Sequence, residues 1–124
     1  MKINEERKKK YKVSLEDISY EFAKKIIELI KSFPDKQIYW KLGDQLLRSA
    51  TSIGANIHEA KSAHSRKDFI KFYEISLKST NETIFWLSLI RDTSLADQNK
   101  INLFLVDLNT ICKILASSII KLKQ

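Results

Sequence analysis

The chain has 124 residues, of which 44% are hydrophobic and 30% are charged. This length and composition suit one folded domain with its own core and exclude a largely disordered chain. Two glycines and one proline are too few for the tight turns of β-sandwiches and β-barrels or for glycine-rich phosphate-binding loops. The composition therefore predicts a mostly helical, all-α protein.

Basic residues outnumber acidic residues by 22 to 15, and the resulting net charge of +7 favours anionic partners such as nucleic acid. Six basic and two acidic residues fall within the first twelve positions, a local net charge of +4. We assign residues 1–13 to a basic N-terminal arm and residues 14–124 to the folded domain. The chain has one cysteine, which cannot form an internal disulfide, and no apolar secretion signal at its N-terminus, so we expect a cytoplasmic protein.

Four stripes of apolar residues at three- and four-residue steps follow the arm and predict four helices. Ser14 with Asp17 forms a capping-box pattern before the first helix, which Pro34 ends. The second helix is predicted over about residues 39–61. The four apolar stripes are Leu15, Ile18, Phe22, Ile26, Leu29 and Phe33; Leu42, Leu46, Ala50, Ile53 and Ile57; Phe69, Phe72, Ser76, Thr80, Thr83, Leu87 and Ile90; and Ile101, Phe104, Leu105, Leu108, Ile111, Cys112, Leu115, Ile119 and Leu122.

Caps also mark the last two helices: Ser65 with Asp68 before the third, and Ser94 and Asp97 before the fourth. Because the connections are short, neighbouring helices are predicted to be antiparallel, which gives an up-down-up-down four-helix bundle. The apolar segment 101–120 contains charged and polar residues, so we interpret it as a buried helix and expect no membrane partner.

The second helix has neutral residues on more than one face. Besides its core stripe it carries Leu47, Thr51, Gly54 and His58 where a solvated helix usually has lysine and glutamate. The third helix shows a similar excess at Phe85, Trp86 and Leu89. One bundle cannot easily bury all these residues, so the pattern predicts a homo-oligomer.

Residues 42–60 read LGDQLLRSATSIGANIHEA. This segment strongly resembles the signature of the 23S rRNA intervening-sequence protein family, in which a Gln-Leu-Arg-Arg-Ala-like opening precedes Ser-Ile-x-x-Asn-Ile-x-Glu-Gly. The matching residues are Gln45, Leu46, Arg48, Ala50, Ser52, Ile53, Asn56, Ile57 and Glu59, and the similarity continues at Phe33, Pro34, Ser65, Lys67, Asp68, Phe69, Phe72, Ser79 and Glu82. The family's final glycine is Ala60 here, and its frequent basic pair before the serine is Ala63-His64.

The resemblance implies a bacterial four-helix bundle assembled as a ring-like homopentamer and encoded in some bacteria within insertions of the large ribosomal RNA gene. The chain is also distantly similar to accessory proteins of diversity-generating retroelements, which bind a reverse transcriptase and its RNA. By analogy, this similarity raises the expectation of RNA binding.

Two interpretations are open for the polar residues of the family motif. They form either a structural network within the bundle and its interfaces, with Arg48 paired to Glu82, or a site that contacts a ligand. We favour the structural interpretation, because mixed charges with an amide can satisfy one another. The residues concerned are Gln45, Arg48, Ser52, Asn56, Glu59 and Glu82.

Two groups of cations are candidates for nucleic-acid binding, and both are expected to contact phosphates with little sequence specificity. The alternative for the arm is a merely solvated charged tail. Trp40 and Trp86 are interpreted as packing residues rather than base-stacking ones. The candidate cations are Arg7, Lys8, Lys9, Lys10 and Lys12 in the arm and Lys61, Arg66, Lys67 and Lys71 near the break between the second and third helices.

Catalytic chemistry has little support in the sequence. His58-Glu59 begins a zinc-protease helix motif, but Ser62 occupies the position of its second histidine. We therefore expect no metal, no cofactor and no enzymatic activity, with a hydrolase as the least favoured class. The favoured hypothesis is a homo-oligomeric scaffold that binds RNA or other nucleic acid. The alternative is a protein-interaction adaptor, for example for a reverse transcriptase or a ribonucleoprotein partner.

Overall fold

The computed structural model describes residues 14–93 and 96–124. They form four α-helices, α1 (Leu15–Lys31), α2 (Gln37–Ala60), α3 (Arg66–Thr93) and α4 (Gln98–Lys123). No strand occurs within these two ranges, so the predicted all-α fold is confirmed. The arm predicted for residues 1–13 and the candidate cap Ser94 lie outside the described residues.

Side-chain caps mark the start of three helices. Ser14 Oγ accepts a hydrogen bond from the backbone N–H of Asp17 at 3.1 Å before α1, and Ser65 Oγ accepts one from Asp68 at 3.1 Å before α3. Asp97 Oδ1 accepts the backbone N–H groups of two residues at the start of α4. These bonds satisfy donors that have no partner within the helix, as the sequence pattern predicted.

The turn between α1 and α2 differs slightly from the prediction. α1 ends at Lys31, before Pro34, and α2 begins at Gln37, two residues ahead of the predicted start. Ile38 lies four residues before Leu42 and continues the apolar period, a sign of the earlier start that the prediction did not use. The N-cap of α2, Lys36, makes no side-chain capping bond, so capping residues gave no signal.

In each pair of successive helices, the start of one helix contacts the end of the other. Near the start of α1, Glu16 lies against His58 at the end of α2, and near the end of α1, Ile30 lies against Gly43 close to the start of α2. Between α2 and α3, Arg48 contacts Glu82 and Ile53 contacts Ser76. Between α3 and α4, Glu74 contacts Lys123 and Arg91 contacts Asn102. The helices therefore alternate up, down, up and down.

The fourth helix closes the bundle against the first. Phe22 of α1 meets Phe104 of α4 edge to face, with ring centroids 6.3 Å apart. Every helix contributes residues of its predicted apolar stripe to one common core, but Phe69 and Phe72 near the start of α3 are only half-buried and lie outside it. The buried members of the core are Phe22, Ile26, Leu29, Leu46, Ala50, Ile53, Ile57, Leu87, Ile90, Ile101, Phe104, Leu108, Ile111 and Leu115. Cys112 lies at the edge of this core, half-buried, rather than within it as predicted, because Ile111 takes the inward position and the next residue is rotated by about 100°.

Small hydroxyl side chains fill the contact between α2 and α3. Thr83 Oγ1 donates to Ser49 Oγ at 3.0 Å, and Ser76 Oγ donates to the backbone carbonyl of Ile53 at 2.8 Å. Among the described residues, no buried side-chain nitrogen or oxygen lacks a hydrogen-bond partner. The hydroxyl groups therefore occupy the core without the cost of an unsatisfied polar group.

Within the described ranges, α4 is the one helix that is long and apolar enough to cross a membrane by length and composition. Its inward face carries six buried residues that belong to the bundle, namely Ile101, Phe104, Leu108, Ile111, Leu115 and Ile119. This packing is that of a core helix, the interpretation predicted for residues 101–120. Only 28% of its most apolar stretch is buried, however, because the opposite face of the helix is exposed.

Candidate nucleic-acid interface

An open groove of about 1020 Å³ lies at the end of the bundle where α3 begins and α4 ends. Arg66, Lys67 and Lys71 line it from α3, and Leu122 and Lys123 line it from α4. The three α3 cations are exposed and form no ion pair with any residue in 14–93 or 96–124. Three of the four cations predicted near the break between the second and third helices therefore lie together and are available to an external anion.

The local sequence places two of these cations in the first turn of a helix. Because Ser65 caps α3, Arg66 and Lys67 are its first two residues. Unpaired backbone N–H groups and the helix dipole add positive potential at this point, which disfavours further cations but favours a bound anion. Asp68 is the one acidic residue in that turn. The start of α3 therefore concentrates positive potential beyond what its formal charges supply.

The fourth predicted cation of the cluster, Lys61, has a partner on another helix. Lys61 caps the end of α2, and its Nζ forms an ion pair with Glu16 Oε2 at the start of α1. His58 Nδ1 lies 2.8 Å from Glu16 Oε1. Lys61 is therefore ion-paired and is not among the residues that line the groove.

Hydrogen bonds from Lys61 and His58 lower the pKa of Glu16 below its ordinary value of 4.5. Burial, together with the charge of Glu16, raises the pKa of Tyr73 on α3. Glu16 thus links the first helix electrostatically to the two helices that flank the α2–α3 turn.

The lowered pKa of Glu16 predicts a specific pH dependence of stability. The contacts of the ionised carboxylate stabilise the fold at pH values above about 4.5, and this contribution is lost as the pH falls through the lowered pKa of the folded state. Glu16→Gln is therefore expected to lower stability at neutral pH and to flatten the decline in stability below pH 4.5. Urea unfolding at a series of pH values measures both effects.

Glu21→Gln is the matched control, because Glu21 forms only an exposed ion pair with Lys24 within α1. It is expected to leave the acid limb of the stability profile unchanged. Identical profiles for the two variants would contradict the role given to Glu16.

The predicted cations of the arm, Arg7, Lys8, Lys9, Lys10 and Lys12, lie outside the described residues. The described residues begin at Ser14, where the arm joins the bundle. Ser14 caps α1, and Glu16 in the first turn of that helix contacts Lys61 at the end of α2. The arm therefore joins the domain at the same end of the bundle as the groove.

The polar family-motif residues form two clusters on α2 and α3. Arg48 Nη2 lies 2.7 Å from Glu82 Oε2 and donates to Gln45 Oε1 at 3.0 Å. Asn56 Nδ2 donates to Ser52 Oγ at 3.0 Å. Ser52 in turn accepts a hydrogen bond from Ser79 Oγ at 2.9 Å.

The ion pair between Arg48 and Glu82 joins α2 to α3, as the structural interpretation predicted. Glu59, in contrast, is exposed, and its side chain forms no ion pair within the described residues. Trp86, half-buried, lies beside this pair with Nε1 3.4 Å from Glu82 Oε2. Trp40, interpreted as a packing residue, is 57% exposed.

Arg48→Ala tests the structural role of this ion pair. The substitution removes the bond to Glu82 and leaves that carboxylate beside Trp86 without its cation, so we expect stability or assembly to fall. Because the arginine side chain is 60% exposed, the loss of unfolding free energy should be modest, about 1 kcal/mol or less. Thermal unfolding and light scattering check this result. An unchanged melting temperature with an intact assembly would contradict it.

Several residues of the site were not predicted from the sequence, among them Leu122, Lys123 and Glu16. Leu122 and Lys123 belong to the last turn of α4, and the antiparallel topology that places them beside α3 was the available signal. Glu16 was also missed as the partner of Lys61 and His58, because nothing in the sequence pairs residues more than forty positions apart. Within residues 14–93 and 96–124, no three His, Cys, Asp or Glu side chains are grouped in a way that could hold a metal ion.

The fold and the site define a helical-bundle protein with a groove at one end that carries three cations without an ion pair among the described residues. The sequence model of the 23S rRNA-intervening sequence protein family matches residues 11–117, and the chain belongs to this family. A search of curated proteins gave no match.

A crystal structure of a protein of unknown function from the S23 ribosomal protein family of Bacteroides thetaiotaomicron VPI-5482 is similar to this chain. The two share 42% sequence identity with a TM-score of 0.80, over 86% of this chain and 98% of that chain.

Proposed function

We propose that this chain is a non-enzymatic, homo-oligomeric four-helix-bundle scaffold that binds RNA or other nucleic acid through its basic surfaces. The observation that carries the proposal is the groove at the start of α3, where Arg66, Lys67 and Lys71 are exposed without an ion pair among the described residues. The arm joins the bundle at the same end and adds its net charge of +4. Both features favour a polyanion over a neutral ligand.

The expected binding mode is contact with phosphates. Arginine and lysine on an open groove meet the nucleic-acid backbone without reading base edges, so the affinity should depend steeply on salt and only weakly on sequence. Repetition of the groove and the arm in an oligomer would strengthen binding through multivalency. A cytoplasmic location is part of the proposal.

Exposed apolar side chains support the homo-oligomeric part of the proposal. They occur on all four helices, and burying them against further copies removes their apolar surface from water. The family resemblance suggests five copies. The large exposed residues are Tyr20, Ile27, Ile38, Trp40, Leu47, Ile75, Phe85, Leu89, Leu103, Val106 and Ile120.

Filter binding of the full chain to labelled RNA tests the proposal. We expect retention at low salt that weakens as the salt concentration rises, with similar affinities for unrelated sequences of equal length. A lack of retention at low salt and micromolar protein would contradict nucleic-acid binding.

A protein-interaction adaptor is the second candidate, favoured by the aromatic cluster at the α1–α2 turn. Trp40 is 57% exposed there, while the rings of Phe33 and Tyr39 lie 5.7 Å apart beside it. Co-purification of a defined protein after nuclease treatment, together with failure to bind RNA, would favour this candidate.

A further inference from the structure

A long apolar groove runs along the outside of α1 and α2, on the side away from the core. Two cavities of about 490 and 360 Å³ follow one another along it. We call it the α1–α2 groove, and its uncharged lining residues are Ser19, Tyr20, Ala23, Ile27, Ile30, Phe33, Pro34, Tyr39, Trp40, Gly43, Leu47, Thr51, Gly54 and Ala55. Tyr20 remains 66% exposed, so this surface has no cover within the described chain.

The two glycines of the chain determine how closely the walls of this groove approach each other. A Cβ atom at Gly54 would lie 3.2 Å from Ser19 Oγ, and one at Gly43 would lie 3.3 Å from Ile30 Cγ2. Both distances are shorter than ordinary van der Waals contacts. Glycine therefore lets α1 lie close against α2, at some cost in helix propensity.

The outward side of α4 carries a second uncovered surface. We call it the α4 outer face; it consists of Leu103, Val106, Thr110, Lys113, Ser117 and Ile120. These residues are exposed and follow alternating steps of three and four, the spacing that directs side chains to a helical partner. Three of them are large apolar residues that are 61–67% exposed. One lysine is the single charge among the six.

We propose that the α1–α2 groove binds the α4 outer face of a second copy of this chain. This inference rests on the homo-oligomerisation proposed above and assigns the two surfaces that meet. A ridge of apolar side chains facing a groove of small and apolar residues is the arrangement by which helices pack into grooves.

The lengths of the two surfaces agree. At 1.5 Å per residue, the α4 outer face spans about 26 Å from Leu103 to Ile120. The α2 wall of the groove spans about 27 Å from Trp40 to His58. One helix can therefore cover the groove from end to end.

The charges of the two surfaces are complementary as well. Asp35 and Asp44 line the groove at the α1–α2 turn, and Asp44 forms no ion pair with the described residues. Lys113 lies within the α4 outer face, and Lys121 follows its last residue. Glu16 and Lys24 line the other half of the groove, so its lining carries three carboxylates and one lysine. This balance favours the basic α4 outer face over contact between two α4 outer faces, which would bring the lysines of both copies together.

Because the two surfaces differ, each copy uses its groove for one neighbour and its α4 outer face for another. Such a heterologous contact builds closed rings or open filaments rather than two-fold dimers. The contact therefore has a direction, and this property can be tested with two separate single-cysteine variants.

The test uses the full chain with Cys112→Ser as background. Thr51→Cys lies in the middle of the groove, and Thr110→Cys lies in the middle of the α4 outer face. One variant carries a size tag, and the two are refolded together and treated with a short bismaleimide crosslinker. We expect the mixed product to dominate over self-linked products. Thr93→Cys, exposed at the end of α3, replaces Thr110→Cys in the matched control and should give several-fold less mixed product.

Light scattering of the Cys112→Ser background separates the possible failures. An oligomer that yields no mixed product, or in which Thr110→Cys links mainly to itself, would overturn the surface assignment and leave homo-oligomerisation standing. A monomer would overturn both.

Discussion

Replacing Leu87 with alanine is expected to lower the free energy of unfolding by about 2–5 kcal/mol. Leu87 lies on α3 with its side chain fully buried in the common core of the bundle. The substitution removes buried apolar surface and leaves a cavity that the surrounding helices fill only in part. Urea unfolding followed by circular dichroism at 222 nm (about the helix minimum) measures the change in midpoint.

Leu89→Ala is the matched control for Leu87→Ala, because it makes the same chemical change two residues away on the same helix. Leu89 is 37% exposed and lies outside the buried core. Its substitution should cost well under half as much as Leu87→Ala. Equal losses for the two variants would contradict the assignment of the inward face of α3.

Reversing the three cations of the groove is expected to have the largest effect on nucleic-acid binding. The variant Arg66→Glu, Lys67→Glu and Lys71→Glu replaces attraction to phosphate with repulsion at each position. The plot of log affinity against log salt has a negative slope. For single-stranded RNA, loss of three phosphate contacts makes this slope shallower by about 2 for each groove engaged. Acidic residues are favoured in the first turn of a helix, where Arg66 and Lys67 lie, and Lys71 is exposed, so these substitutions should not unfold α3.

The control for this variant reverses three exposed lysines at the other end of the bundle, Lys36, Lys41 and Lys100. Its net charge changes by the same amount, so it separates the groove from an effect of overall charge. We expect this control to retain most of the salt dependence. An equal loss of binding in both variants would indicate that only the net charge matters.

Much of the fold could be predicted from the sequence because the signals for helices are local. Ser14, Ser65 and Asp97 each cap a helix where their spacing indicated. The apolar stripes identified the inward faces, and the short turns then fixed the antiparallel order. The start of α2 was misplaced by two residues, because no capping side chain marks it, although Ile38 lies four residues before Leu42 in the apolar period.

The candidate site could be predicted only in part, because its geometry depends on contacts between distant segments. Arg66, Lys67 and Lys71 are neighbours on one helix, so their clustering was visible in the sequence. The pairing of Lys61 with Glu16 was not visible, since it depends on how α1 packs against α2. The groove needed the last turn of α4 as its second wall, which no local pattern could supply.

Light scattering of the full chain, alone and with a short RNA at low salt, tests the central claim most directly. The account predicts an oligomer, with a mass of two or more times 14.5 kDa, which gains the mass of bound RNA at low salt and loses it at high salt. A 14.5 kDa monomer whose mass is unchanged by RNA would contradict the account.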